Sequence, residues 1–522
     1  MWDAVIIGSG FGGAMVAHRL VAAGASVLML ERGDWVTRGT AAWQPGASLA
    51  LTTAYAHDIP YRCDAGGHGK TIGGYACVGG PSVYFGGVAF RFRERDFAGD
   101  RDVVAGSGAR WPYDYAELAP YYDRAEQLLR IAGDDRGDPT APPRARCFAH
   151  APAPLAAASE RLRDAAVAGG LSPFHLPLAI DHARCVGCRT CDTFACAIEA
   201  KNDVATTLLR PLVARGLALQ PRTVAVRLEA ERGRVVRLHV VRRDTGAREV
   251  IAAARFVLAA GALGSAHLIL ASRLDELSPA RRAVGRHLMR HANAVVMGLY
   301  RERPDRGFHK QLAIHDWYFG APRAQTKQAG GALTKLGGVQ QMMTPPTELV
   351  RAHLPAPARP LARFVEHATG LLCIAEDQPR RGNGVAVDWS VRDAYGLPQL
   401  VIDHAHSSRD ERARDALVGE SRRLLVATGA RWTVRHDVKT FSHALGTLRM
   451  GVDPASSPLD GECRYRGLAN LWVTDGSALP MSAGVNPSLT IAANALRAAE
   501  VIASPGCAGA RSDAKRCGEV IA

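Results

Sequence analysis

The sequence predicts an α/β fold that opens on a Rossmann-like unit. Three observations carry that prediction. An apolar run from Ala4 enters the glycine turn Gly8-Ser-Gly10-Phe-Gly-Gly13, and an apolar helical pattern continues to Leu20. A second apolar run, Ser26-Val-Leu-Met-Leu30, ends at Glu31 and completes strand, turn, helix, strand. Far along the chain, Phe256 to Ala260 reads as another buried strand that ends in a Gly261 turn and a helix.

Each glycine of the first turn has a use. Gly8 suits a tight turn, Gly10 lets backbone approach a pyrophosphate, and Gly13 lets the helix pack on the strand. The helix N-terminus adds unpaired N–H groups and a partial positive charge. Glu31 stands about 20 residues on, where a carboxylate accepts hydrogen bonds from a ribose. Its charge disfavours a 2′-phosphate, so FAD or NAD is expected over NADP.

The remaining elements follow in order. Residues 56–92 are glycine-rich and read as loop. Ala116 to Ile131 and Ala156 to Ala168 read as helices, joined by a Pro- and Arg-rich surface connection at 133–155. Val224 to Val241 alternates like a hairpin around a Glu-Arg-Gly turn at 231–233. Residues 301–435 carry less glycine and more aromatic and amphipathic material, and read as a second domain with a helix from Leu417 to Ala427. The last 80 or so residues return to strand and loop. The polar tail at 504–522 is expected to fray.

Composition removes several classes. A hydrophobic share of 47% and a charged share of 22% describe a globular protein, neither disordered nor fibrous. The net charge is +14, but only seven of the 64 basic residues are lysines and the arginines are scattered. A nucleic-acid binder concentrates its charge on one face, so that partner is not expected. The most apolar stretch, Phe256 to Ala271, is broken by glycines, Ser265 and His267, so no membrane-spanning helix is expected. No secretory signal precedes the first strand, and a cytoplasmic location is expected. Peripheral membrane contact and export with a partner stay open.

Further motifs resemble the glucose–methanol–choline (GMC) oxidoreductases, whose fold pairs a Rossmann-like FAD domain, discontinuous in sequence, with a substrate domain on a mixed or antiparallel sheet. Cys77-Val-Gly-Gly-Pro-Ser-Val-Tyr-Phe-Gly-Gly87 resembles the family's Gly-Gly-Ser-Ser loop, with Pro81 in place of a serine and Phe85 where many members have Asn. Trp111-Pro, Leu118-Ala-Pro-Tyr-Tyr122 and Val284-Gly-Arg-His-Leu-Met-Arg-His291 fall in the expected order. Leu258-Ala-Ala-Gly-Ala-Leu-Gly-Ser265 is similar to the second signature, with Ala266 replacing its proline. The most specific segments are Ser442-His-Ala-Leu-Gly-Thr-Leu-Arg-Met-Gly451, Asn470 to Ser477 and Gly484-Val-Asn-Pro-Ser-Leu-Thr-Ile491, which look most like cholesterol oxidases and bacterial sugar dehydrogenases.

The resemblance implies FAD. Gly79, Gly80 and Ser82 would lie against pyrophosphate and flavin, Val224 against the adenine, and Asp475 and Gly476 against the pyrophosphate and ribityl chain. The backbone after Asn486, at Pro487, would meet the pyrimidine edge. On this division the FAD-binding part spans 1–300 and 436–503, with a cysteine-rich insert at 181–203, and 301–435 caps the flavin and chooses the substrate.

Oxidising an alcohol requires a base for the hydroxyl proton and a hydride acceptor, and histidine titrates in the right range. His443 stands where the family places its catalytic histidine, and Asn486 where others have a second His or an Asn. The Asn486 amide could orient the hydroxyl or stabilise a developing oxyanion. His287 and His291 read as packing residues, and nothing singles out His404, His406 or His436. An alcohol dehydrogenase is expected; an oxygen-using oxidase and a redox-neutral lyase on the same scaffold are the alternatives.

Cys185, Cys188, Cys191 and Cys196 form the most unusual motif. The run is a near miss to the ferredoxin pattern, with one residue too many before the last cysteine and Ala197 in place of proline. Related sugar dehydrogenases carry a cysteine-bound iron–sulfur cluster in this region, which would relay electrons to a cytochrome, quinone or other carrier. Structural zinc and plain thiols are the competing readings. In the variable region, Met342 to Phe364 reads as a lid, a membrane-docking surface or a packed helix, and the Glu376-Asp377 carboxylates could face the pocket.

Overall fold

Five short strands run parallel in the order Leu471–Val473, Ala253–Leu258, Trp2–Ile7, Val27–Leu30, Ala218–Gln220. Apart from Trp2, Asp3, Ala254 and Arg255 near the starts of their strands and the half-exposed strand Ala218–Gln220, the sheet is built of buried Val, Ile, Leu, Met, Phe and Ala with Trp472, the pattern of a sheet covered on both faces. The protein is described from a computed structural model, which covers residues 1–49, 51–52, 54–63, 70–304, 307–320 and 332–504. The tail expected to fray lies outside the described residues after Ser504.

The helix Phe11–Ala22 follows the first strand and packs against the last helix, Ser488–Ala503. The contact face of the last helix is small: Ala492, Ala493, Ala495, Ala498 and Ala499 are all buried. The two ends of the chain therefore build one layer, as the discontinuous reading expects. Gly8 takes φ +102°, and a Cβ there would stand 2.3 Å from the Ala259 carbonyl oxygen. A Cβ on Gly12 would stand 2.3 Å from the Thr474 carbonyl oxygen.

A second sheet has six strands in the order Trp432–Asp437, Ala292–Leu299, Ala368–Ala375, Gly337–Met342, Leu312–Ile314, Phe174–His175, every pairing antiparallel. The helix Ser408–Ala427 lies across it and buries Ala413, Leu417, Val418, Leu424 and Leu425. This helix begins nine residues before the expected Leu417. Its Ser407 cap, which accepts from Asp410 N, marks the start.

One expectation is corrected. The stretch read as loop at 56–92 opens with a hairpin, Tyr55–Cys63 paired with Lys70–Tyr75. Its support is a parallel pairing of Arg62 and Cys63 with Val401 and Ile402, strand partners too distant in sequence for a local reading to see. The hairpin expected around residues 231–233 forms between Thr223–Glu231 and Arg234–Arg242. The 342–364 stretch is a short helix, Thr347–His353, then a 3₁₀ segment, Ala356–His367, that buries Ala362 and leaves Leu361 and Phe364 exposed. Among the described residues no helix is long and apolar enough to cross a membrane.

Gly12→Ala tests the packing of the two chain ends. The overpacked contact with Thr474 should cost about 1–3 kcal/mol, read as a lower urea midpoint at unchanged slope. An unchanged midpoint would mean that the helix and the 474–475 turn can part freely.

Candidate active site

The two glycine turns meet at Gly10 and Gly80. A Cβ on Gly80 would lie 3.3 Å from the Gly10 Cα, whereas a Cβ on Gly10 would meet only Pro81, at 3.9 Å. Gly13 packs against the Gly8 carbonyl, and Gly79 and Gly80 take φ +92° and +54°. Ser9 joins the turns: its Oγ donates to Glu31 (2.6 Å) and accepts from Gly79 N (2.9 Å). Glu31 is buried and also accepts from Ser9 N and Gly33 N, leaving one of about four acceptor positions for a ribose. Val224 is buried beside Thr223, whose N–H donates to the Glu31 carbonyl.

Two expected contacts are already engaged within the protein. Ser82 Oγ donates to the Gly79 carbonyl and accepts from Val204 N. The buried Asp475 carboxylate accepts from Gly261 N, Ser265 Oγ, and both N and Oγ of Ser477. These side chains shape the loops, and the backbone of 475–476 is what remains to meet a pyrophosphate. Among the described residues, the buried side-chain oxygens without a hydrogen-bond partner include Asn486 Oδ1 and Thr474 Oγ1. Glycine turns open to close approach, a carboxylate at the second strand and unpartnered buried oxygens near the last helix fit a bound FAD.

His443 is set by backbone stitching. Leu445 and Met289 exchange N–H···O bonds of 2.9 and 3.0 Å, which brings His443 and His291 together across 152 residues, their rings perpendicular. Gly446, Leu448 and Met450 then donate to the carbonyls of Gly476, Ser477 and Ala478. His291 was read as packing; the structure puts its Nδ1 2.9 Å from Nδ1 of His443. The signal that could have found it is the positive φ at which the turn holds it, +62°, and no sequence pattern records that.

The hydrogen bonds fix the tautomers. His291 Nε2 lies 3.0 Å from the carbonyl oxygens of Ser482 and Ala483. Carbonyls only accept, so Nε2 carries the proton and Nδ1 of the neutral ring is a lone pair. His443 Nδ1 therefore donates to it, and His443 Nε2 is left bare. Burial, then the neighbouring His291, push the His443 pKa down to about 3, against the pull of Asp377. Burial likewise lowers His291.

The 482–484 turn is fastened by buried groups on the second sheet. Ser482 Oγ donates to Asp377 (2.8 Å), Ala483 N to Glu376 (2.9 Å) and Gly484 N to Tyr318 Oη (2.8 Å), while Gly338 N donates to the Gly484 carbonyl. Lys335 is paired with both Asp96 and Glu376, and Tyr318 Oη donates to Asp96. Glu376 and Asp377 therefore do not face a pocket: both are at most 1% exposed and grip the turn before Asn486 and Pro487. Pro487 leads directly into the helix Ser488–Ala503, whose N-terminal dipole is directed at this point.

Three further groups surround the pair. His406 Nε2 donates to the His291 carbonyl (3.1 Å), and Arg290 Nε donates to His404 Nδ1 (3.3 Å). Asp377 Oδ2 accepts from Arg290 N (2.8 Å) and faces His404 Nε2 at 3.6 Å. Donor atoms of Asp377, His404 and His406 lie within 4.8 Å of one another. The Arg290 guanidinium against His404 opposes a metal cation there.

The four motif cysteines occupy one loop. Lys201, 1% exposed, donates to the carbonyls of Phe85, Cys191 and Phe194, and Lys310 pairs with Asp192 over Gly86. The thiol loop is thus tied to the loop at 79–87. Burial pushes the Cys191 thiol up to about 12, while Cys188 is exposed. Among the described residues no three of these sulfurs gather within 4.8 Å of one another, whereas ligands of one tetrahedral zinc sit closer.

The chain matches GMC oxidoreductase family models over residues 69–293 and 379–495. It is 33% identical to paromamine 6′-oxidase of Streptomyces fradiae, over 96% of this chain and 91% of that one. It is 27% identical to 2-methyl-1,2-propanediol dehydrogenase of Mycolicibacterium austroafricanum, over 96% and 95%. Among solved structures, pyridoxine 4-oxidase from Mesorbium loti superposes with a TM-score of 0.64 at 21% identity, over 96% of this chain and 99% of that one, a likeness of fold.

Two outcomes test this site. Lys335→Met strands two buried carboxylates and should cost about 3–5 kcal/mol, read by urea denaturation; a loss under 1 kcal/mol, taken as about the worth of an exposed pair, would mean that the pair is solvated. The second concerns pH. Burial holds His267, His287 and His406 down to about 4, and His443 to about 3. As pH falls below the ordinary histidine value of about 6.5, the unfolded chain takes up protons that the native chain refuses. Stability should therefore fall steadily from pH 7 towards pH 4. A urea midpoint that is flat over that range would show these rings charged in the native protein.

Proposed function

The chain belongs to the GMC oxidoreductases, FAD-binding flavoproteins acting on CH–OH groups, and on that premise we propose that it oxidises an alcohol carbon of a small, sugar-like substrate to a carbonyl, with His443 as the base. One observation carries the reading: the His443 Nε2 lone pair, held bare by the donation of its other nitrogen to His291. The names of the relatives, an aminosugar 6′-oxidase and a propanediol dehydrogenase, support the substrate class.

FAD, when bound, supplies the acceptor for the hydride of the C–H bond. The chain does the rest. Gly8, Gly10, Gly13, Glu31 and Val224 would hold the adenosine and pyrophosphate end; Gly79, Gly80 and the 475–476 backbone would hold its middle; Asn486 and Pro487 would meet the flavin. His443 Nε2 takes the hydroxyl proton as the O–H bond breaks. Its lowered pKa keeps the resting ring neutral, so that Nε2 has a lone pair to receive the proton. Asn486 orients the hydroxyl through its amide.

For the four cysteines we propose an iron–sulfur cluster, supported by four soft thiol donors within one loop that is tied to the 79–87 turn through Lys201. Such a group would supply one-electron transfer towards an external acceptor, a carrier protein, cytochrome or quinone. Iron and acid-labile sulfide in stoichiometry with flavin are the expected result. Flavin without iron would make the loop structural and shift the reading to an oxidase.

The function is tested without oxygen. Paromamine or 2-methyl-1,2-propanediol should bleach the flavin absorbance in single turnover; a product formed with no bleaching would favour a lyase. His443→Ala should keep its FAD and lose at least about a hundredfold in that rate, the ordinary scale of acid–base catalysis. A near-normal rate would remove His443 from the role.

A further inference from the structure

We propose that His291 is the positioning residue of this site: it sets the tautomer of His443 and shares the proton that His443 removes. The proposal rests on the reading of His443 as the base and extends it to a second, fully buried imidazole.

One nitrogen of His291 is committed to the backbone. Its Nε2 faces two carbonyl oxygens at 3.0 Å, and a bare nitrogen there would set lone pair against lone pair. The proton stays on Nε2 whatever happens elsewhere in the pair. His291 therefore offers His443 only a lone pair, and His443 must donate its Nδ1–H across 2.9 Å. A carboxylate in that place would also fix the tautomer, but it would add a fixed charge beside the base. A neutral ring fixes the tautomer and leaves basicity low.

The same bond gives the proton a second home. When the substrate O–H bond breaks, its proton joins His443 Nε2, and the His443 Nδ1 proton can cross to His291 Nδ1. His443 is then neutral and protonated on Nε2; His291 is the cation, donating from Nε2 to the Ser482 and Ala483 carbonyls. No proton is lost, and the hydride of the same carbon goes to the flavin of the parent reading. The charged groups around the pair are Asp377, which attracts the cation, and Lys335 and Arg290, which oppose it; His404 and His406 complete the shell, His406 donating to the His291 carbonyl. Asp377 holds this place through its bonds from Ser482 and Arg290.

The strain supports a dedicated role. His291 and Ala483 both take a left-handed backbone, φ +62° and +55°, without being glycine. Each such residue is disfavoured and persists only where its surroundings impose it. Here they bring the His291 ring and its two carbonyl acceptors together.

The test uses the holoenzyme with ¹⁵N-labelled histidine. Two-bond ¹H–¹⁵N NMR at pH 7.5 should find His443, assigned by its loss in His443→Gln, protonated on Nδ1 and bare on Nε2. His291→Phe keeps the ring shape and removes the acceptor; His291→Gln keeps an acceptor and a donor but cannot take the proton. In His291→Phe the single tautomer should give way to a mixture, and anaerobic flavin reduction should slow by about a hundredfold. In His291→Gln the tautomer should persist, a tenth or more of the rate should remain, and the acid limb of the pH profile should move to lower pH. His443 protonated on Nε2 in the wild type, or an unchanged tautomer in His291→Phe, would overturn the proposal. If His291→Phe does not fold, His291→Gln decides: an unmoved acid limb overturns the shared proton. A near-normal rate in His443→Ala is a separate failure, that of the parent reading.

Discussion

The turn at 482–484 has no ladder of its own, and the site depends on what holds it. Two adjacent carboxylates, a phenol and one strand backbone take that place: Asp377, Glu376, Tyr318 and Gly338 each fix one group of the turn. A buried carboxylate is costly unless its charge is met, and Lys335 meets Glu376 and Asp96 together. The charges of Glu376 and Asp96 are therefore met within the protein. The same turn presents two carbonyls to His291 and leads into Asn486, Pro487 and the last helix. The position of the turn and the tautomer of the pair both derive from one buried ionic cluster beside the second sheet.

Much of the nucleotide crevice was legible in the sequence because its chemistry is local. A glycine that must let backbone approach is visible as a glycine, and Glu31 follows its strand at the expected distance. His443 was legible through the run around it. His291 was not. Its role follows from the exchange between Met289 and Leu445 and from a left-handed turn, neither of which leaves a periodic trace. Glu376 and Asp377 read as pocket-facing because carboxylates are usually solvated; their partners Lys335 and Ser482 lie 41 and 105 residues away. The hairpin at 55–75 was hidden by its glycines and by a partner strand more than 300 residues later.

The four cysteines of the thiol loop lie within twelve residues. Among the described residues no three of its sulfurs lie within 4.8 Å of one another, and the loop is ordered by an ammonium. Lys201 satisfies three carbonyls that no strand or helix would, one of them from the turn at 79–87. Whatever the sulfurs hold, their position relative to the nucleotide crevice is set by that lysine.

The parallel sheet has a temporal consequence. Its outermost strand, Leu471–Val473, and the helix that packs on Phe11–Ala22 are the last described elements to be synthesised. Until they emerge from the ribosome, Phe11–Ala22 has no cover on that face and the 475–476 and 486–487 edges of the crevice do not exist. The glycine fingerprint at 8–13 is made well before the segments that complete the site. A cofactor that needs both edges therefore meets them only once residue 487 has emerged, and the helix Phe11–Ala22 has to be sheltered until then, as exposed apolar surface on partly folded chains is prone to aggregate.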